Sequence, residues 1–368
     1  MKKNLRLLII SLLAIGSILS GCGVLVEPSS WPGITADENT VYVSNDSHLY
    51  ALQLNNGNLQ WKFPLESDSD ISFYAAPVLT RDGQLLVGSY SQSGNNGYSL
   101  YSLDPNRGTK NWEFPDAGNR YIGSPLVTDV YIYAPNADNT LYKLDLKGNL
   151  ISGWSFQADD PLWAQPVLEG DNLFLTSMDH HIYALDANSA RYEWSPKDLG
   201  SAIASPPLIG TNGTLYVGTF GSQILAINPA NGAVLWEAKT EDWAWSSPSE
   251  IDGKLFVGDQ SGTFYILEAA TGNELWRMQA DGAILGSPLI IGNNVYFATE
   301  AGSVYLVESS GSGENVWTFD IIKRIEGRIL GPLLAAGNLI LIGAIESDSL
   351  VTAIDQDGSQ VWSFSPDN

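Results

Sequence analysis

Tryptophan recurs at Trp61, Trp112, Trp154, Trp194, Trp236, Trp276, Trp317 and Trp362, a beat of 40 to 51 residues through nearly the whole chain. Glycine stands four residues earlier in six units, at Gly57, Gly108, Gly232, Gly272, Gly313 and Gly358. Ala190 takes that place in the fourth unit, and in the third Gly148 lies six residues before Trp154, which predicts a bulge there. An acid often opens the turn, as at Asp104, Asp145, Asp186, Glu268 and Asp355. Its side chain can cap turn amides, while glycine supplies the positive φ that a tight turn needs.

A second marker keeps the same time: Pro32, Pro77, Pro125, Pro166, Pro206, Pro248, Pro288 and Pro332. Between the markers each unit holds two short β-rich runs, such as Thr214 to Gly218 and Gln223 to Ile227. Every unit therefore reads as four short strands, and no helical period appears after the first residues. Four-stranded units of this length, repeated eight times, predict an all-β fold, an eight-bladed β-propeller over residues 29–367. A solenoid would need polar caps, which neither terminal unit supplies. The proline strand belongs innermost, since its missing N–H can face the channel, and the tryptophan strand outermost. Both end units look complete, so ring closure is expected to rest on face packing, with Val24 to Val26 as a candidate added edge strand.

The phrase from Ala226 to Trp236 resembles the tryptophan-docking motif of the quinoprotein-like (PQQ-repeat) propeller superfamily, Ala-x-Asp-x-x-x-Gly-x-x-x-Trp. The resemblance covers residues 29 to 367 and implies that each tryptophan packs on the neighbouring blade. That superfamily includes quinone-dependent alcohol dehydrogenases and the BamB-type lipoproteins of outer-membrane protein assembly. Length and the eight units are more similar to the second group. Those lipoproteins commonly lend an N-terminal strand to the last blade, whereas this chain completes that blade itself.

Lys2, Lys3 and Arg6 precede an apolar run from Leu7 to Leu19, too short for a comfortable bilayer span, which predicts a cleaved export signal over residues 1–21. Leu19-Ser20-Gly21-Cys22 resembles the bacterial lipobox, so Cys22, the chain's single cysteine, is expected to carry lipid, with residues 22–28 as a tether. Acyl chains at ~0.8 kcal/mol per buried methylene would hold the protein to a membrane without a spanning helix. Losing the signal makes the formal net charge of -23 more negative by its three cations. Such a surface argues against nucleic acid and favours solubility or cationic partners.

With its one thiol assigned to lipid, the chain has no cysteine for a disulfide, a thiolate metal site or catalysis. The quinone dehydrogenases that it resembles use a vicinal cysteine pair, a calcium held by Glu, Asn and Asp, and an Asp base; the cysteine pair is missing here. His48 and His181 occupy equivalent hairpin places in units far apart, with His180 beside the latter, and are expected to be exposed rather than ligands. Glu66 to Asp70 and Ala158 to Asp160 lack the spacing of a calcium loop. Hydrolase and nucleotide signatures are absent, so the expectation is no catalytic residue, no metal and no cofactor.

Partner binding is expected in the connections between blades, residues 64–74, 115–123, 157–163, 239–245 and 320–329, whose sequences do not repeat. Asp159, Asp160, Glu241 and Asp242 lie beside Trp163, Trp243 and Trp245. Tyr74 and Tyr121 hold comparable places. Exposed rings among carboxylates suit a peptide, a basic protein surface or a sugar. Trp163 and Trp245, just before proline strands, are expected to plug the channel, leaving Trp243 as the better binding candidate. Lys323, Arg324 and Arg328 form a basic patch that can pair with the acids or offer an anion contact.

These observations point to a monomeric, lipid-anchored, non-catalytic binding scaffold of the cell envelope. The resemblance implies an envelope protein or an unfolded polypeptide as partner, and membrane-protein assembly as the setting. The anchor membrane is expected to be the outer membrane where the cell has one, otherwise the outer face of the cytoplasmic membrane. A surface lipoprotein binding polysaccharide or a small ligand is the alternative, and a quinone-dependent dehydrogenase the third.

Overall fold

A computed structural model describes residues 31–66, 70–91, 97–309 and 316–366. Cys22, the export signal and Val24 to Val26 lie outside them. No helix occurs among the described residues; eight antiparallel sheets of four strands follow one another as blades, each with its strands in chain order from inside to outside. Blade 1 spans residues 33–63, blade 2 residues 71–114, blade 3 residues 126–157 and blade 4 residues 167–198. Blades 5 to 8 span residues 208–239, 249–279, 289–324 and 334–364. Blade 2 adds a strand, Ile71–Phe73, on the same partner as Val78–Leu79.

Each blade has two apolar faces, so it must be covered on both sides, and the eight apolar clusters mix residues of adjacent blades. The second and third strands are the most buried, as in Leu215–Thr219 and Gln223–Ile227, while the outer strands alternate. Edge strands flanked by covered neighbours are the propeller's answer to unpaired backbone.

The tryptophans join the blades. Trp61 meets Gly108, Trp112 meets Gly148, Trp194 meets Gly232 and Trp236 meets Gly272, and Trp362 of blade 8 meets Gly57 of blade 1. A Cβ on these glycines would stand 2.4 to 2.8 Å from the indole, and their φ values are positive, so two separate constraints select glycine. Indole N–H groups also find carbonyls on the next blade: Pro105 for Trp61, Ala187 for Trp154, Pro229 for Trp194 and Ala269 for Trp236. Ala190 adopts φ 57° in the glycine's place, a left-handed conformation that costs alanine more than glycine. Turn acids cap amides as expected; Asp145 accepts from the N–H groups of Lys147 and Asn149, both at 2.9 Å.

Two expectations need correction. The bulge predicted in blade 3 is absent as such; the outer strand is cut to Phe156–Gln157, with a single bridge between Leu144 and Leu150 upstream. Bulges instead sit beside the tryptophan in blades 1, 2, 5, 6 and 8. Trp317 is not a docking residue for the following blade. In blade 5 Ala226 pairs with Trp236, but in blade 7 the matching Leu306 pairs with Asp320, so Trp317 arrives three positions early. Its ring lies 5.6 Å from Phe256 of the preceding blade, and Gly358 faces Ile322 instead.

Candidate functional site

The turns between second and third strands share one face of the ring with the connections between blades, and they hold those connections in place. In blade 3 the Oδ2 of Asp138 accepts from the N–H of Gly118 at 2.7 Å and from the Tyr142 hydroxyl at 2.5 Å. In blade 4 the Oδ2 of Asp179 accepts from the N–H of Asp159 at 3.0 Å and from Tyr183 at 2.5 Å. In blade 6 the Oδ2 of Asp259 accepts from the N–H groups of Glu241 and Asp242 at 3.0 and 3.1 Å and from Tyr265 at 2.8 Å.

Blade 7 reverses the polarity. Asp281, in the connection itself, accepts from Thr299, Ser303 and Arg324. The connections differ in sequence, yet their anchorage repeats. Burial acts to raise the Asp179 carboxyl, but hydrogen bonds from Tyr183 and the amides of His181 and Asp159 outweigh it, and the pKa lies below the ordinary value. Asp281 is lowered in the same balance, burial against Ser303, Thr299 and Arg324.

On this pinned face, Phe220 is the centre of an aromatic stack. Its ring lies 4.8 Å from Trp243 with an interplanar angle of 8°, and 4.8 Å from Trp245 at 25°. Phe220 follows the strand Leu215–Thr219, at the turn position held by Ala137 in blade 3, Met178 in blade 4 and Gln260 in blade 6, and like them it donates its backbone N–H to a carbonyl of the incoming connection, that of Ala202. Trp243, at 41% exposure, presents the outer surface of the stack, while the Asp242 carboxylate holds its N–H at 2.8 Å. Rings fixed by stacking lose little entropy when a partner covers them. Trp245 lies against Phe220, and Trp163 lines a channel recess of about 250 Å³ with Trp31 and Tyr74.

The expected acids divide. Asp159 and Asp160 are exposed in the connection between blades 3 and 4, on the same face as Trp243 but two connections away. Glu241 pairs with Arg277 at 2.9 Å, and Asp242 is half-buried. The basic patch is dispersed: Lys323 and Arg324 belong to the outer strand Trp317–Arg324 rather than to a connection. Arg324 is bound to Asp281 and Ser303, and Arg328 to Glu300 and Glu346. These exposed pairs are worth roughly 0 to 1 kcal/mol each. His48 is buried, against expectation, with Nδ1 3.0 Å from Ser47 Oγ, and His181 is half-buried with Nδ1 2.8 Å from the Asp179 carbonyl. Tyr74 is buried against Tyr90 at 4.9 Å, and Tyr121 is buried opposite Gly88. Among the described residues no group of three or more His, Cys, Asp or Glu side chains is placed to hold a metal.

Sequence reasoning missed Phe220. The available signal was an aromatic at a turn position that Ala137, Met178, Gln260 and Glu300 hold in blades 3, 4, 6 and 7. It also missed the Asp–Tyr pins, although Tyr142, Tyr183, Tyr265 and Tyr305 recur at one place in the third strand.

Comparison with known proteins adds three kinds of likeness. A family model described as outer membrane protein assembly factor BamB matches residues 25–152, 152–243 and 221–363. The quinoprotein alcohol dehydrogenase PedH of Pseudomonas putida is 27% identical over 152 residues, 35% of this chain. The chain spans a quarter of that relative's length. Among solved structures, BamB from Moraxella catarrhalis aligns with TM-score 0.68 and 16% identity, covering 87% of this chain and 92% of its own. The computationally designed Ika8 protein gives 0.72 and 14%, covering 89% and 96%. A europium-containing methanol dehydrogenase gives 0.59 and 15%, covering 75% and 72%. At these identities the solved structures share the fold.

Proposed function

Because the chain belongs to the family of the outer membrane protein assembly factor BamB, we propose that it is a lipid-anchored, non-catalytic scaffold that holds another envelope protein near the membrane. The observation that carries the reading is the Trp243–Phe220–Trp245 stack on a face whose connections are anchored by Asp and Tyr. A rigid, partly exposed aromatic slab beside carboxylates has the composition of a protein-binding hot spot. Asp159, Asp160, Trp163, Glu241, Asp242, Trp243 and Trp245 on this face, with Arg324 and Arg328, are the proposed contact residues.

Against quinone chemistry stand the lining of the channel recess and the cysteine count. The recess around Trp31, Tyr74 and Trp163 is walled by aromatic, proline, glycine and aliphatic residues, with Ser124 and Gln165 as its polar members and no charged side chain among them. An anionic quinone and its calcium require charged ligands. The single cysteine also excludes a vicinal disulfide.

A photoreactive amino acid at position 243, activated in intact cells and followed by mass spectrometry, tests the partner. The expected product is an adduct with an envelope protein, absent when the probe sits at exposed Val234 on an outer strand. Absence of any protein adduct, together with glycan binding abolished by Trp243→Ala, would establish the polysaccharide reading instead. Lipidation is tested separately: Cys22→Ser is expected to abolish fatty-acid labelling and release the protein from membranes.

A further inference from the structure

We propose that the outer edge of blade 7 is a second binding site, which takes an extended segment of a client polypeptide as an added β-strand. Its outer strand, Trp317–Arg324, has eight residues, against five or six in blades 1, 2, 5, 6 and 8 and two in blades 3 and 4. Its inner side is paired with Ser303–Ser309 in a ladder that runs from Arg324 to Trp317, skipping only Ile322 at a bulge. From Trp317 to Ile321 the other side pairs with no strand among the described residues, leaving a row of backbone donors and acceptors, and such a row recognises extended polypeptide rather than sugar.

Natural edges are usually short, charged or covered. Here the first five residues carry one charge, Asp320, and the large apolar side chains stand out: Val316 at 46% exposure, Phe319 at 47% and Ile321 at 39%. Trp317, Phe319 and Ile321 alternate along the strand and so share a face. Phe319 is backed by Trp276 of blade 6 at 6.1 Å and by Tyr305 at 6.4 Å. An added strand would therefore find backbone partners along its length and an apolar contact at every second side chain. The site exists because blade 7 broke the repeat: with Trp317 displaced and Ile322 at the next blade in its stead, the strand is free to lengthen. It lies on the rim of the ring, and it does not depend on the loop-face reading.

The probe is a short synthetic peptide of alternating valine and threonine, fluorescently labelled, with a control of the same length carrying proline at alternate positions. Wild-type protein is expected to bind the first and not the second. The double variant Phe319→Lys, Ile321→Lys, which touches exposed side chains only, is expected to lose at least about tenfold in affinity. Its unfolding midpoint should match wild type, and Trp243→Ala should leave peptide binding intact. Equal binding by wild type and the double variant, or none by either, would overturn the proposal. Self-association of the protein that the lysines abolish, with no peptide bound, would assign this edge to a second copy and overturn it as well.

Discussion

The indole Nε1 of Trp362 donates to the carbonyl oxygen of Leu54 at 2.7 Å, joining residues 308 positions apart. This bond closes the ring from blade 8 to blade 1, and it has the form of the bonds that join blades within the chain. Trp362 is buried in a cluster drawn from both end blades, including Val41, Leu52, Leu341 and Phe364. Trp362→Ala is expected to cost about 3 to 5 kcal/mol, the usual range for a buried tryptophan. Trp317→Ala should cost clearly less, since Trp317 is only half-buried and its indole N–H has no partner among the described residues. Urea denaturation of the two variants side by side measures the difference.

Tyr121 is fully buried opposite Gly88, and its hydroxyl has no hydrogen-bond partner in the structure. An unsatisfied buried hydroxyl costs free energy that phenylalanine does not incur. Tyr121→Phe should leave stability unchanged or raise it by up to about 2 kcal/mol, again by urea denaturation. A loss of stability would show that the hydroxyl has a partner in solution.

Lys143 is buried with no carboxylate bound to it. Its Nζ donates to the Ala187 carbonyl at 2.8 Å and stands 3.9 Å from the Tyr131 ring centre. Burial lowers its pKa, with Asp186 acting in the opposite sense. Tyr133 and Trp154 also donate to Ala187, so removing the lysine leaves that carbonyl satisfied. Lys143→Met should therefore hold stability within about 1 kcal/mol, as apolar replacements of buried charges often do. Lys143→Ala leaves a cavity and should cost about 2 kcal/mol or more, as read from thermal unfolding.

Acid sensitivity follows from Asp179. Its folded-state pKa is depressed, so it contributes stability above its ordinary pKa of 3.8 that is lost as pH falls through the lower folded value. Between those values the unfolded chain binds the extra proton. Asp179→Asn should lower stability near neutral pH and flatten the decline below about pH 4. Hydrogen exchange at the Asp159 amide, which Asp179 holds, should rise in the variant at neutral pH.

The blade count, the strand order and six of the joints were legible because glycine, tryptophan and proline answer to local demands: a positive φ, a flat contact, a missing N–H. Trp317 misled because a position in sequence does not fix register: the ladder sets Asp320 opposite Leu306 and carries Trp317 up to Ser309, three positions before the place that Trp236 holds in blade 5. Phe220 escaped notice for a different reason. It is 23 residues from Trp243 and meaningful only once a turn and a connection meet on one face, which the topology decides. His48 opens the strand His48–Gln53 directly after the turn and is buried with its ring 5.5 Å from Tyr50, although Asp46 in the turn itself is exposed.

Among the described residues an indole and an apolar cluster join the first and last blades, and all four strands of blade 8 come from residues 334–364, so this seam is a joint like those elsewhere. Rotating the starting point by a whole unit would break one connection and leave that seam's packing intact. A gene encoding such a ring can therefore gain, lose or reorder units as a change of circumference, with most seams sealed by the same small set of side chains and the one after blade 7 by Ile322.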